Sequence, residues 1–124
     1  MLITNGTILT FGDQPRAIPG GAVCFEGDTI TAVGSTAELT AQHPHEEILD
    51  AAGQIVMPGL ICGHTHFYGA FARGMAIAGE APSNFVQILE KLWWKLDRAL
   101  TLEDCRYSTL VCLVDAIRHG TTTL

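Results

Sequence analysis

Two histidines separated by one residue, His64 and His66, are the side chains in this 124-residue chain best placed for chemistry. They follow the run Ile55-Val56-Met57-Pro58-Gly59-Leu60-Ile61-Cys62, which is short, apolar and bounded by turn residues. Such a run predicts one buried strand. On a strand, residues i and i+2 point to the same side. Both imidazoles then aim at one spot, with Cα atoms about 6.5–7 Å apart at roughly 3.3 Å per residue. A divalent ion with Zn–N bonds of about 2.0–2.1 Å fits between rings held that way. Spacing alone does not decide the matter, because buried histidines are often plain hydrogen-bonded core residues. The chain carries its own control in His43-Pro44-His45, a second H-x-H. That one sits in the polar stretch Ala41–Glu47 with no apolar run leading in, and predicts a solvated loop.

The elements around the pair are short. Residues 2–34 predict strands, with Asn5-Gly6 and Glu26-Gly27-Asp28 as turns between apolar runs. Gly12-Asp13 and Pro19-Gly20-Gly21 punctuate the gap between them. Ser35-Thr36-Ala37-Glu38-Leu39 predicts a helical turn capped by Ser35 or Thr36, Glu46 to Asp50 a strand, and Ala51-Ala52-Gly53 a turn. Beyond the pair, Ser83 opens a helix to about Leu100. Phe85, Ile88, Leu89, Leu92, Trp93, Leu96 and Leu100 form its apolar sector, and Trp94 falls in the polar one. Trp93, at the sector's edge, is expected in the core, while Trp94 needs missing chain or a neighbouring subunit to cover it. Thr101-x-x-Asp104 predicts a capping box for a second helix with Leu110, Leu113, Val114 and Ile117 as its apolar face. Gly120 stops that helix, and Thr121-Thr122-Thr123-Leu124 begins a strand.

Taken together, Val56-Met57-Pro58-Gly59-Leu60-Ile61-Cys62-Gly63-His64-Thr65-His66 resembles the signature of the amidohydrolase superfamily. Leu2–Thr10, Asp28–Gly34 and Asp50–Gly59 resemble the strands that precede it in that family. Leu92-Trp93-Trp94-Lys95-Leu96-Asp97-Arg98-Ala99-Leu100 is closest to its aminohydrolase and chlorohydrolase branch, above all the aminohydrolases linked to selenium metabolism. The resemblance implies an α/β fold: the start of a metal-dependent (β/α)8 barrel preceded by half of a small β-sandwich. Residues 1–57 would be the sandwich part and 58–124 the first strand and helices of the barrel. A barrel alone takes about 250 residues, so the chain reads as an N-terminal fragment with an incomplete fold.

By the same resemblance, His64 and His66 are the first two ligands of one divalent ion, zinc or iron, at the barrel mouth. The loop from Phe67 to Pro82 lies over that mouth, where barrel enzymes build their sites. Phe67 and Tyr68 are candidates to wall a planar substrate and Arg73 to contact it; packing the loop down is the plain alternative. The implied reaction is hydrolysis of a non-peptide C–N bond, deaminating a small heterocyclic amine. Release of chloride, or opening of a cyclic amide, is the alternative within the superfamily. No catalytic proton-transfer residue of the family falls within residues 1–124, so the fragment alone is expected to be inactive. A reading from another class is a non-catalytic chain that folds only against a partner, with Trp94 and the strand edge at Leu124 as contact surfaces.

Composition narrows the partners. A net charge of −6 argues against nucleic acid and anionic membrane. The charge is uneven: residues 1–57 carry Arg16 against seven carboxylates, whereas residues 58–124 balance. That shift supports a boundary near Pro58. Cys24, Cys62, Cys105 and Cys112 make no C-x-x-C, so reduced thiols and a cytoplasmic home are expected. His119, at the end of the second helix, is rejected as a ligand because the resemblance puts it at the face opposite the mouth. A homo-oligomer stays open.

Overall fold

The computed structural model describes residues 1–76 and 78–124; Ile77, within the loop after the histidines, lies outside the described residues. The chain divides into two compact units, Met1–Pro58 and Gly59–Leu124.

The first unit is a five-stranded sheet with one helix. Strand β1 (Leu2–Thr10) pairs antiparallel with β2 (Arg16–Glu26), and β2 with β3 (Thr29–Ser35). Strands β4 (Ile48–Asp50) and β5 (Ile55–Val56) both run parallel to β1. Leu2, Thr4, Gly6 and Ile8 are buried at alternate positions, so one face of β1 turns inward. Leu2, Ala22 and Cys24 form the core there, closed by Leu39 of helix α1 (Thr36–Gln42). Ser35 caps α1 in a reciprocal capping box with Glu38, as the sequence predicts. The Glu26-Gly27-Asp28 turn forms as well. Asn5-Gly6 does not turn: β1 runs straight through it. Asn5 takes a φ of 57° and the pairing slips on either side of Gly6, which is a bulge. Pro19-Gly20-Gly21 likewise lies inside β2. Turn-forming residues also serve bulges, and only the partner strand decides between the two.

The second unit begins with β6 (Leu60–Ile61), which pairs in parallel with β7 (Thr121–Thr123). Between them come a 3-10 turn (Phe67–Ala72), α2 (Phe85–Ile88), a π-helical turn (Leu89–Trp93), α3 (Trp94–Ala99) and α4 (Leu102–Arg118). The helix expected to open at Ser83 instead begins at Phe85 behind the N-cap Asn84, whose side chain accepts from Gln87 N at 3.0 Å, and it carries a π turn in its middle. The Thr101–Asp104 capping box of α4 is present. Most of the expected apolar face of α4 is exposed: Leu110, Val114 and Ile117 are open, as is Val111 beside them, while Leu113 is half-buried. The face that packs is the small-residue one around Ser108, because only small side chains let the 3-10 turn approach α4 closely.

One expectation fails here. The run from Ile55 to Cys62 is not a single buried strand but two strands of two residues, β5 and β6, paired to different neighbours. Ile55, Leu60 and Ile61 are 63%, 47% and 75% exposed. Pro58 has no N–H to give a ladder, so the run breaks at Met57–Gly59 and each half finds its own partner. Among the described residues, no helix is long and apolar enough to cross a membrane.

Candidate metal centre

The site is built on the end of β6. Leu60 N donates to Gly120 O and Cys62 N to Thr123 O, each at 2.9 Å, which anchors the chain two residues before His64. His64 and His66 themselves lie beyond the strand, in irregular chain, not on a strand as expected. The pair converges all the same. The two Nε2 atoms stand 2.9 Å apart, with ring centroids at 4.9 Å and planes at 58°. Both rings are exposed. Cys62 Sγ donates to the His64 carbonyl at 3.3 Å and steadies the first of them.

The donor set fits a cation. Nitrogens 2.9 Å apart, each about 2.0–2.1 Å from a shared ion, subtend roughly 90° at that ion. Among the described residues, no three of His, Cys, Asp and Glu come together as a ligand group. Among the described residues, the pair stands alone as candidate donors.

Aromatic rings enclose His66 from one side. Trp93, the last residue of the π turn, lies 5.6 Å from the His66 ring at 43°. Tyr68 meets it edge-on at 6.1 Å and meets Trp93 at 6.0 Å. A π turn shifts the phase of a helix, and here Trp93 stands against the histidine while Trp94 stays 45% exposed. Burial, and then the facing Asp97 carboxylate, hold the Tyr68 hydroxyl above the ordinary tyrosine range. Among the proposed substrate contacts, Phe67 is half-buried and Tyr68 stands beside the pair. Arg73 instead lines a cavity of about 560 Å³ with Leu110, Val114, Asp115 and Arg118, a lining that contains neither histidine. Two neighbours escape the sequence reading. The role of Trp93 beside His66 depends on the π turn, which has no local signature. Ser108 is fully buried against the 3-10 turn, and its only signal is a polar residue beside the small Cys105 and Cys112 on α4.

The family model for the amidohydrolase family matches residues 55–124. The chain belongs to the amidohydrolase family. A second model, for the bacterial imidazolonepropionase-like composite domain, matches residues 21–45. This amidohydrolase chain is 33% identical over 121 residues to a 5'-deoxyadenosine deaminase of Methanococcoides burtonii, covering 98% of itself and 26% of that relative. It is 32% identical over 123 residues to a 5-methylthioadenosine/S-adenosylhomocysteine deaminase of Syntrophobacter fumaroxidans, covering 99% of itself and 27% of the relative. The zinc complex of the atrazine chlorohydrolase TrzN from Arthrobacter aurescens TC1 superimposes with a TM-score of 0.77 at 26% identity, over 98% of this chain and 27% of TrzN. The chain thus spans about a quarter of the length of the curated relatives it matches. The family resemblance carried by the P-G-L-I-C-G-H-T-H run is borne out, as is the mixed α/β fold of this part of an amidohydrolase barrel enzyme.

Proposed function

We propose that this chain belongs to a metal-dependent hydrolase of non-peptide C–N bonds, and that the whole protein removes an amino group from a small heterocyclic molecule. The convergence of His64 and His66 Nε2 at 2.9 Å is the observation that carries the reading. Membership of the amidohydrolase family and the similarity to two nucleoside deaminases support the reaction class. His64 and His66 would supply two ligands to one divalent ion, zinc or iron; the zinc complex of TrzN favours zinc. Such an ion supplies the Lewis acidity that makes water a nucleophile at neutral pH.

The chain's own residues orient and shelter. Trp93 and Tyr68 hold the His66 ring and keep water from that side, and Phe67 and Tyr68 offer flat surfaces to a planar base. Arg73 would reach the substrate only through a movement of the turn it ends. In the reaction, water adds its oxygen at the ring carbon bearing the amino group, one water proton passes to the amino nitrogen, the C–N bond breaks and ammonia leaves, while the oxygen and the other proton stay with the product. The groups that move those protons lie outside residues 1–124 by the family resemblance. On this reading residues 1–57 are part of a composite β domain and residues 58–124 the first strand and first helices of the barrel. The four free cysteines favour a cytoplasmic home, and the small heterocycle is the partner.

The test is metal content and ammonia release, measured on the natural protein. About one zinc or iron per chain and ammonia from an adenine nucleoside are expected, and His64→Ala or His66→Ala should abolish both. Unchanged metal content in both variants would refute the centre. A second reading, release of chloride, rests on the likeness to TrzN. Chloride from a chlorinated triazine, with no ammonia from any amine, would decide for it.

A further inference from the structure

We propose that Ser108 is a positioning residue for the histidine pair, through the 3-10 turn that begins at the residue after His66. The inference rests on the metal reading above. A serine or threonine inside a helix usually bonds back to its own helix or to water. Thr109 does so, donating to Cys105 O at 2.8 Å. Ser108, beside it, reaches across the fold. Its hydroxyl donates to Phe67 O at 2.5 Å and accepts from Ala70 N at 3.0 Å. Cys112, one helical turn later, turns its Sγ to the same Phe67 carbonyl at 3.6 Å. Ser108 is 0% exposed, on a helix whose neighbouring Leu110 and Val111 are 46% and 53% exposed. This is the point where α4 is drawn onto the turn.

The turn matters because of what precedes it. His66 is its N-cap residue, with no side-chain cap bond, and its carbonyl accepts from Gly69 N at 2.9 Å. The peptide planes that follow His66 are therefore held by one bond within the turn, two at the Ser108 hydroxyl and the longer Cys112 thiol contact. Trp93 and Tyr68 set the ring itself. Without the hydroxyl, the Ala70 amide would face a methyl group in a buried space, and the Phe67 carbonyl would keep only the long Cys112 thiol contact. Both regain full partners only if the turn moves. Ligand geometry tolerates shifts of about 0.5 Å, and loss of an outer support typically costs 10–100-fold in metal affinity.

The experiment measures zinc affinity by chelator competition, and the visible absorption of the cobalt(II) form, on the natural protein. Ser108→Ala should weaken zinc at least about tenfold and change the cobalt bands. Thr101→Ala, which uncaps the same helix at its far end, should leave affinity within about twofold and the bands unchanged. Wild-type affinity in Ser108→Ala would overturn the proposal, and so would an equal loss in Thr101→Ala, since any weakening of α4 would then suffice. Should Ser108→Ala fail to fold, Ser108→Cys keeps a weak donor and should show a partial loss; wild-type affinity there would overturn the proposal too. His66→Ala separates the two layers. If it loses zinc while Ser108→Ala keeps it, only the positioning role fails. If it keeps zinc, the metal reading falls and this inference with it.

Discussion

Gly59 is the glycine of the P-G step that leads into the histidine pair, and Gly59→Ala tests why it is glycine. A Cβ at this position would lie 2.2 Å from Thr122 Oγ1, 2.3 Å from its Cγ2 and 2.7 Å from its Cβ. Ordinary contact between carbons needs about 3.5–4.0 Å. Rotating Thr122 moves the first two atoms away but leaves its Cβ where it is, so the backbones of β6 and β7 must part by about 1 Å. The β6–β7 ladder bonds, Leu60 N to Gly120 O and Cys62 N to Thr123 O, stand at 2.9 Å each and would be stretched out of range. Losing them costs about 0.5–1.5 kcal/mol apiece, and enduring the overlap instead costs about 1–3 kcal/mol. The expected destabilisation is therefore about 1–3 kcal/mol. Urea unfolding measures it, and hydrogen exchange at the Leu60 and Cys62 amides locates it. Thr122→Ala in the same chain removes the two nearest atoms and should restore part of the loss, which appears as a coupling in the double-mutant cycle. Stability within about 0.5 kcal/mol of wild type, with both amides as protected as before, would refute the close-approach argument.

Other perturbations follow from the same contacts. Hydrogen bonds from Ser35 hold Glu38, and those from Thr101 hold Asp104, below the ordinary carboxylate range. A lowered folded pKa adds stability above the unfolded value and loses it as pH falls through the folded one. Both boxes should thus stabilise above about pH 4 and fail below it. Ser35→Ala and Thr101→Ala should flatten that acid limb in thermal melts, and wild-type acid sensitivity in both would count against the boxes. Trp93→Ala removes the ring beside His66 and Tyr68 and should cost about 2 kcal/mol in denaturant unfolding. Because burial is the main cause of the raised Tyr68 pKa, the same variant should bring the tyrosine titration back toward its ordinary value in ultraviolet absorbance.

Legibility followed the range of the interaction. The Ser35 and Thr101 boxes, the Glu26-Gly27-Asp28 turn and the end of α4 at Gly120 each depend on residues within about one helical turn, and all are present. Asn5-Gly6 and the run from Ile55 to Cys62 misled for one shared reason. Whether a left-handed residue makes a turn or a bulge, and which neighbour a strand joins, is settled by a partner far along the chain. The apolar pattern of α4 was legible as a pattern; that its small-residue side would be the one packed was not, because that depends on the shape of the 3-10 turn.

By itself, the sequence determined the donor chemistry: two imidazoles two residues apart after an apolar run. It also determined the caps and the family. Only the tertiary structure decided that the nitrogens meet at 2.9 Å beyond the end of a two-residue strand. It alone placed Trp93 against His66 through a π turn, and Ser108 against Phe67 and Ala70 across 41 and 38 residues of chain. Residue type and spacing travel along the backbone and can be read there. A distance between side chains depends on which distant segments pair and pack, and exists only once they have done so.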